Sequence, residues 1–192
     1  MSRPHPSHAA GTVLGRAFVD DPLWRWALRG RAREARLILL FTELARAASR
    51  AAGAQVLVTP ERTAAAVWLP PAAWRGTTAD FLRSAPRLAL AMRGGVVRGL
   101  RLQSVLERDH LREPHWYLEA VGAVPTARGT GAGRRVVQPV LDICDDQRLP
   151  AYLESSNPRN WSFYERLGFA RLSPLPLPRG CPLVMPMRRE PG

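Results

Sequence analysis

The chain has 192 residues, 46% of them hydrophobic and 23% charged, a size and composition that favour one globular α/β domain with a substantial core. No apolar run reaches the ~18 residues of a membrane-spanning helix, and residues 1–6 lack the apolar stretch of a secretory signal, so we expect a cytoplasmic protein. The net charge of +12 comes wholly from arginine, because lysine is absent. Since the arginines are spread from Arg3 to Arg189, nucleic-acid binding is not the expected function.

The first half of the chain predicts helices followed by a short hairpin. Small and apolar residues at helical spacing predict a helix over residues 9–18 and a longer one over residues 31–52, ended by Gly53. Strands are predicted over residues 55–59 and 64–69, joined by a turn. On the longer helix, one face carries Leu37, Phe41, Leu44 and Ala48, whereas Glu43 and Arg46 are expected largely elsewhere.

The second half alternates helices and strands. Residues 77–111 predict two helices divided at Gly94-Gly95, and residues 115–124, rich in aromatic and β-branched side chains, predict a strand. A glycine-rich turn leads into a helix with Val136, Val137, Val140, Leu141 and Cys144 on its buried side. A strand (151–154), a helix (160–167) and two closing strands (169–172 and 183–188) follow. A strand–helix–strand unit implies parallel strands joined by a right-handed crossover.

The turn at residues 124–134 (VPTARGTGAGR) is the most informative segment. Glycines let the backbone approach a ligand closely. A helix that begins there directs its unpaired N–H groups and the positive end of its dipole to the same place, which suits a phosphate or pyrophosphate. A purely structural turn would have the same pattern. A P-loop is excluded because it requires a lysine, and a dinucleotide-binding fold because its glycines lie near the first strand.

Several motifs in the right order resemble those of a known family. Residues 128–133 (RGTGAG) resemble the Q/R-x-x-G-x-G/A signature of the GNAT superfamily of N-acetyltransferases, and residues 152–160 and 163–169 resemble the strand and helix that follow it there. Residues 115–118 and the surroundings of Glu154 and Tyr164 are most similar to the puromycin N-acetyltransferase-type branch.

The resemblance implies an α/β (α+β) fold, with a mixed, twisted sheet that is splayed at its middle and flanked by helices. We expect a single GNAT domain over residues 1–192. Residues 1–114 would supply N-terminal helices, a hairpin and a helical insertion on the acceptor side. Residues 115–192 would form the acetyl-CoA-binding core.

The resemblance also implies how acetyl-CoA is bound. Backbone groups of Ala123 and Val124 would pair with the pantetheine as an added strand does, and an N–H there would stabilise the oxyanion. Ala123 stands where the family usually has a larger β-branched residue, which would widen the acyl region. Asn160 would hydrogen-bond to the pantetheine. The turn would hold the pyrophosphate through Arg128, Gly129, Thr130, Gly131, Ala132, Gly133 and Arg134.

Catalytic roles follow from the same resemblance. Tyr164 matches a helix tyrosine near the sulfur and is the candidate general acid, with a packing tyrosine as the alternative. Glu119 is the candidate base, directly or through water, with a solvated strand glutamate as the alternative. Glu154 and His115 are further candidates for the substrate pocket. No metal is expected, because His110 and His115 have no cysteine nearby.

These features predict direct acetyl transfer to a primary amine of a small molecule, such as an antibiotic or a biosynthetic intermediate. Two alternatives stay open: a peptide or protein N-terminus as the acceptor, and a non-catalytic acyl-CoA-binding module. Many relatives pair as dimers, so a homodimer is a further expectation. No membrane partner is expected.

Overall fold

The computed structural model describes residues 6–192, apart from the side chains of Thr78 and Phe81. Residues 1–5, which carry most of the segment used to argue against a secretory signal, lie outside the described residues. Within the described part, no helix has both the length and the apolar character needed to cross a membrane. The helices are α1 (Pro6–Ala17), α2 (Pro22–Ala27), α3 (Arg33–Ala48), α4 (Thr78–Met92), α5 (Val96–Asp109), α6 (Ala132–Asp146) and α7 (Trp161–Glu165); the strands are β1 (Gln55–Val58), β2 (Ala64–Leu69), β3 (Trp116–Ala123), β4 (Ala151–Ser155), β5 (Ala170–Arg171) and β6 (Met185–Arg189).

The strands form one mixed sheet in the order β1-β2-β3-β4-β6-β5. β3 and β4 are parallel, and the other neighbouring pairs are antiparallel. Parallel neighbours need a crossover connection, and α6, which lies between β3 and β4 in the chain, supplies it. This mixed sheet flanked by helices confirms the predicted fold class.

A separate core covers each face of the sheet. One core joins α6 and α7 to the sheet around Val137 and Met187, and the other joins α1 and α3 to it around Phe41. β2 is buried at all six positions because its side chains alternate between the two cores: Trp68 belongs to the first and Val67 to the second. β2 is therefore the strand that ties both layers together.

Helix α1 lies directly against α3 because two glycines leave no side chain between the helices. A Cβ atom at Gly11 would lie 2.7 Å from Cα of Thr42, and one at Gly15 would lie 2.7 Å from the backbone nitrogen of Ile38. Any larger residue at either position would force the helices apart.

Most predicted elements are present, with ends shifted by a few residues, and the division near Gly94-Gly95 is confirmed by a 3₁₀ turn over Arg93–Gly95. Helix α2 is not among the predicted elements. Asp21 caps its N-terminus, because the Asp21 carboxylate accepts a hydrogen bond from the Leu23 N–H at 3.0 Å. Glu43 lies off the predicted apolar face of α3 but is nevertheless buried, and Arg46 pairs with it at 2.6 Å and offsets the cost of burying its charge.

Candidate active site

The site is organised by a gap in the sheet between β3 and β4. In the described part of the chain, these strands are paired only at their beginnings, where Trp116 pairs with Ala151 and Tyr117 with Tyr152. Further along, β3 remains paired with β2, and β4 remains paired with β6. The two strands therefore diverge toward their C-terminal ends, as the predicted splay requires. The edge of β3 that faces the gap can accept a ligand that adds as a strand.

A β-bulge in β3 lies at Glu119. On the β2–β3 ladder, Val67 pairs with Ala120 and Trp68 with Leu118, so Glu119 is the extra residue that has no partner on β2. A bulge bends its strand and redirects a side chain. The bulge thus accounts both for the divergence of β3 from β4 and for the departure of Glu119 from the ordinary alternation of side chains.

The glycine-rich turn follows β3 and opens into α6. Gly129 and Gly131 have φ values of 78° and 81°, in the left-handed region that side chains disfavour, and a Cβ atom at either would meet nothing within 4 Å. Helix α6 begins without a side-chain cap at Gly131, so its first N–H groups are available to an external acceptor. The open space, the backbone donors and the helix dipole fit a pyrophosphate.

The Arg128 and Thr130 side chains of this turn are hydrogen-bonded within the protein, so the contribution of the turn to a ligand would come from its backbone. The Arg128 guanidinium donates to the Ala17 carbonyl at 3.2 Å, and the Thr130 hydroxyl donates to the Ala127 carbonyl at 2.8 Å. Gly133 lies against a ring, since a Cβ there would come within 3.4 Å of Phe163. The remaining predicted members of this set, Ala132, Arg134 and Asn160, are at the start of α6 and the end of a 3₁₀ turn before α7.

Of the two residues predicted to pair with the pantetheine, Val124 already uses its N–H. This N–H donates to the Thr63 carbonyl at 2.8 Å, on the β2 side of the strand. Backbone groups of successive residues in a strand point in opposite directions. The amide of Ala123 therefore points toward the gap, where it could pair with an added strand.

Two carboxylates, one from each diverging strand, interact near the gap: Glu119 on β3 and Glu154 on β4. Burial, and to a smaller extent the negative charge of an ionised Glu154, raise the pKa of Glu119 to about 7. A carboxylate that titrates near neutral pH can both take up and release a proton under physiological conditions. This is the protonation behaviour that a general base requires.

Glu154 and His115, both predicted as pocket residues, belong to a buried hydrogen-bonded chain. The Glu154 side chain is 5% exposed, and its Oε1 lies 3.1 Å from Nδ1 of His110. The Nε2 atoms of His110 and His115 are 3.1 Å apart, and Nδ1 of His115 lies 2.7 Å from the Glu113 carbonyl oxygen. Trp74 stacks on His110 with ring centroids 3.9 Å apart. These residues therefore form a buried network in the protein interior, which includes Glu154 of β4.

Two tyrosines that the sequence analysis does not single out enclose Glu154. Tyr117 and Tyr152 meet the His110 ring edge-on, with centroids 4.8 and 4.9 Å away. Burial, and then the negative charge of Glu154, raises the pKa of both hydroxyls, so they stay protonated. The spacing of Tyr152 two residues before Glu154 on a strand was the available signal, because such residues share a face.

Tyr164, the predicted acid, is buried on α7 near Asp21. Burial raises the pKa of Tyr164, and the negative charge of Asp21 adds to it. Tyr164 therefore keeps its proton at neutral pH. The Ser156 hydroxyl donates to Asp21 at 2.9 Å and ties the start of α2 to the segment after β4. Sequence reasoning identifies Asp21 only as part of a helix boundary and misses this connection.

Comparison with known proteins identifies the family. Residues 53–169, more than half of the chain, match the model of the acetyltransferase (GNAT) family. The chain therefore belongs to the GNAT acetyltransferase family.

Individual relatives agree with this assignment. An uncharacterized N-acetyltransferase of Schizosaccharomyces pombe is 44% identical over 59 residues, which is 30% of this chain and 24% of that protein. The chain thus spans about a quarter of the length of this curated relative. A structure from Corynebacterium glutamicum, described as histone acetyltransferase HPA2 and related acetyltransferase, has a TM-score of 0.70 and 25% identity over all of this chain and 94% of that one. Chaetomium thermophilum Naa20, solved in complex with a bisubstrate analogue, shares the fold with a TM-score of 0.53 and 16% identity over 99% and 85% of the two chains.

Proposed function

We propose that this chain transfers acetyl from acetyl-CoA directly to a primary amine of a small molecule, such as an antibiotic or a biosynthetic intermediate. The observation that carries the proposal is Glu119, a carboxylate with a pKa of about 7 on a bulge beside the gap between β3 and β4. The similarity of residues 115–118 to the puromycin N-acetyltransferase-type branch supports a small amine as the acceptor.

Acetyl-CoA supplies the acetyl group as an activated thioester, and residues of this chain supply binding and proton transfer. Gly129, Gly131 and the N-terminus of α6 would hold the pyrophosphate, and Ala123 would pair with the pantetheine. Glu119, as a carboxylate, accepts a proton from the acceptor ammonium and so frees the lone pair of its nitrogen. Tyr164 donates its proton to the sulfur as the carbon–sulfur bond breaks, and the second proton that the newly acylated nitrogen releases restores Tyr164. Direct transfer of this kind requires no covalent acyl-enzyme.

A peptide or protein amine is the second candidate acceptor. It is favoured by the similarity to the Corynebacterium glutamicum structure described as a histone acetyltransferase. The third candidate is a non-catalytic acyl-CoA-binding module, because family membership alone does not establish turnover.

Calorimetric titration with acetyl-CoA, followed by assays of free-thiol release, separates these candidates. The acceptor panel contains puromycin, other small primary amines, and short peptides with free N-termini. Thiol release that depends on small amines supports the proposal, whereas release with peptides alone would replace the acceptor class. Binding without release from any acceptor would favour the non-catalytic module. Absence of binding would overturn the assignment of the glycine-rich turn.

A further inference from the structure

The direction of the hydrogen bonds in the buried chain from Glu113 to Glu154 follows from two properties of His115: its bond to Glu113 and its neutral state. The Glu113 carbonyl oxygen can only accept a hydrogen bond, so Nδ1 of His115, 2.7 Å away, carries a hydrogen. His115 is 1% exposed. Burial lowers its pKa, and this effect outweighs the hydrogen bond to the Glu113 carbonyl, which raises it. A neutral His115 with a hydrogen on Nδ1 has a lone pair on Nε2 and can only accept there.

The direction passes from His115 to His110. Because Nε2 of His115 accepts, Nε2 of His110, 3.1 Å away, must donate. A neutral His110 with its hydrogen on Nε2 has no hydrogen on Nδ1, and this atom lies 3.1 Å from Glu154 Oε1. A carboxylate and a bare ring nitrogen would repel each other at this distance. One additional proton must therefore lie between them, on either the imidazole or the carboxyl group, and in both cases the pair has no net charge.

We infer that His115, acting through His110 as a positioning residue, keeps one proton on the His110–Glu154 pair and so holds this pair electrically neutral beside Glu119. The inference rests on the proposed function only for its effect on catalysis. The charge of the pair determines how strongly the ionised form of Glu119 is disfavoured, because Glu154 is the charged group that acts on Glu119.

In the described part of the chain, the titratable groups around the pair interact with partners other than His110. From β3 and β4, the hydroxyls of Tyr117 and Tyr152 face Glu154. From α5, Asp109 acts on Tyr152 but pairs with Arg108 at 2.8 Å. The remaining neighbours are the Glu113 carboxylate, which pairs with Arg188 at 2.6 Å, and the uncharged indole of Trp74.

A matched pair of substitutions at His115 tests the effect. In His115→Met, the strong acceptor for His110 is lost, so a neutral His110 can carry its hydrogen on Nδ1 and donate to an ionised Glu154. The pair then has a charge of −1, and because a like charge disfavours ionisation, the pKa of Glu119 should be higher in His115→Met than in the wild type. In His115→Gln, the side chain has a similar volume and an amide oxygen that can accept from His110, so the pair stays neutral.

The expected result is a shift in the pH dependence of kcat/KM for amine acetylation. The rise in kcat/KM with pH should move upward by roughly half to one pH unit in His115→Met, an effect of the size expected for one like charge that is not in direct contact. His115→Gln should keep the wild-type midpoint. Equal shifts in both variants, or no shift in either, would overturn the inference.

A second measurement needs no activity and so separates this inference from the proposed function. Two-dimensional ¹H–¹⁵N spectra of the imidazole rings report which nitrogen carries hydrogen, and the sequence has only four histidines to assign. His115 should be neutral with hydrogen on Nδ1 at pH 7, and Nε2 of His110 should be protonated. In His115→Met, the hydrogen of His110 should move to Nδ1. A wild-type His115 protonated on Nε2, or one that titrates like a free imidazole, would overturn the inference even if no acceptor amine is found.

Discussion

Glu119 determines the pH dependence that the proposed reaction should show. Its ionised form takes the proton from the acceptor, so kcat/KM should rise with pH through about 7. Glu119→Gln cannot accept a proton and should lower kcat/KM by roughly 10²- to 10⁴-fold, the usual contribution of a general base, and remove the rise. Calorimetric titration should show unchanged affinity for acetyl-CoA. A Glu119→Gln enzyme with wild-type rates at pH 8 would exclude Glu119 as the base.

Glu119 also lowers the stability of the fold at pH values above the pKa that its carboxyl group has in the unfolded chain. The pKa of Glu119 is about 7 in the folded protein and has an ordinary value of 4.5, so the folded state binds more protons between these values and stability falls as pH rises through this window. This difference corresponds to roughly 3 kcal/mol as an upper value. Glu119→Gln should therefore raise the free energy of unfolding by about 1–3 kcal/mol at pH 8. Urea denaturation should show almost no gain near pH 4.5; an equal gain at both pH values would point to packing instead of charge.

Tyr164 is expected to affect the turnover rate but not the affinity for acetyl-CoA. Tyr164→Phe removes the hydroxyl proton while keeping a ring that packs against Phe163 and Phe169. We expect kcat to fall by roughly 10²-fold, within the usual range for a general acid, with little change in the affinity for acetyl-CoA. Thiol-release kinetics and calorimetry measure the two quantities separately. Unchanged kcat would leave Tyr164 as a packing residue.

What the sequence could predict about these side chains depended on whether the signal was local. Glu119 could be identified as a candidate because it precedes a recognisable turn. Its position on a bulge could not, because a bulge is defined by the register between two strands, and Val67 and Trp68 lie about fifty residues earlier in the chain. For the same reason His110 and Glu154, 44 residues apart, gave no sign that they are in contact.

Among the helices and strands, prediction succeeded where one pattern decided the structure. β2 was predicted with its observed bounds because six consecutive apolar residues are typical of a strand buried on both faces. Helix α2 was missed because its six residues show too little periodicity, and its start depends on the hydrogen bonds of Asp21. The hydrogen bond from the Val124 N–H to the Thr63 carbonyl could not be predicted either. It belongs to the pairing of β2 with β3, whereas the sequence predicts only the hairpin of β1 and β2.

The glycine-rich turn can be tested against a glycine that has the same backbone conformation elsewhere. Gly131 and Gly180 both have a φ of 81°, and a Cβ atom at either would meet nothing within 4 Å. Gly131→Ala and Gly180→Ala should therefore each cost about 1–2 kcal/mol of stability from left-handed strain. Only Gly131→Ala should also weaken acetyl-CoA binding, by roughly tenfold or more, because its methyl group would enter the space before α6. Equal affinities in the two variants would show that the pyrophosphate lies elsewhere.

The two cores are joined through the sheet, so the described part of the chain should unfold as one unit. β2 contributes alternate residues to both cores, and α1 contacts β2 and β3 as well as α3. The acetyl-CoA site uses β3 and α6, on the C-terminal side. A ligand that binds there should nevertheless stabilise α1 and α3, because neither layer can lose β2 without exposing the other core.

Thermal unfolding with and without acetyl-CoA tests this coupling. A ligand concentration of 100 times Kd adds about 2.7 kcal/mol to the free energy of unfolding, which for a chain of this size corresponds to an increase in Tm of roughly 5–10 °C. We expect one transition that moves by this amount in both far-UV circular dichroism and tryptophan fluorescence. Calorimetry should give equal calorimetric and van't Hoff enthalpies. If only part of the helical signal moved with acetyl-CoA, residues 6–114 would form a unit that folds independently of the acetyl-CoA-binding core, and the expectation of a single domain would be wrong.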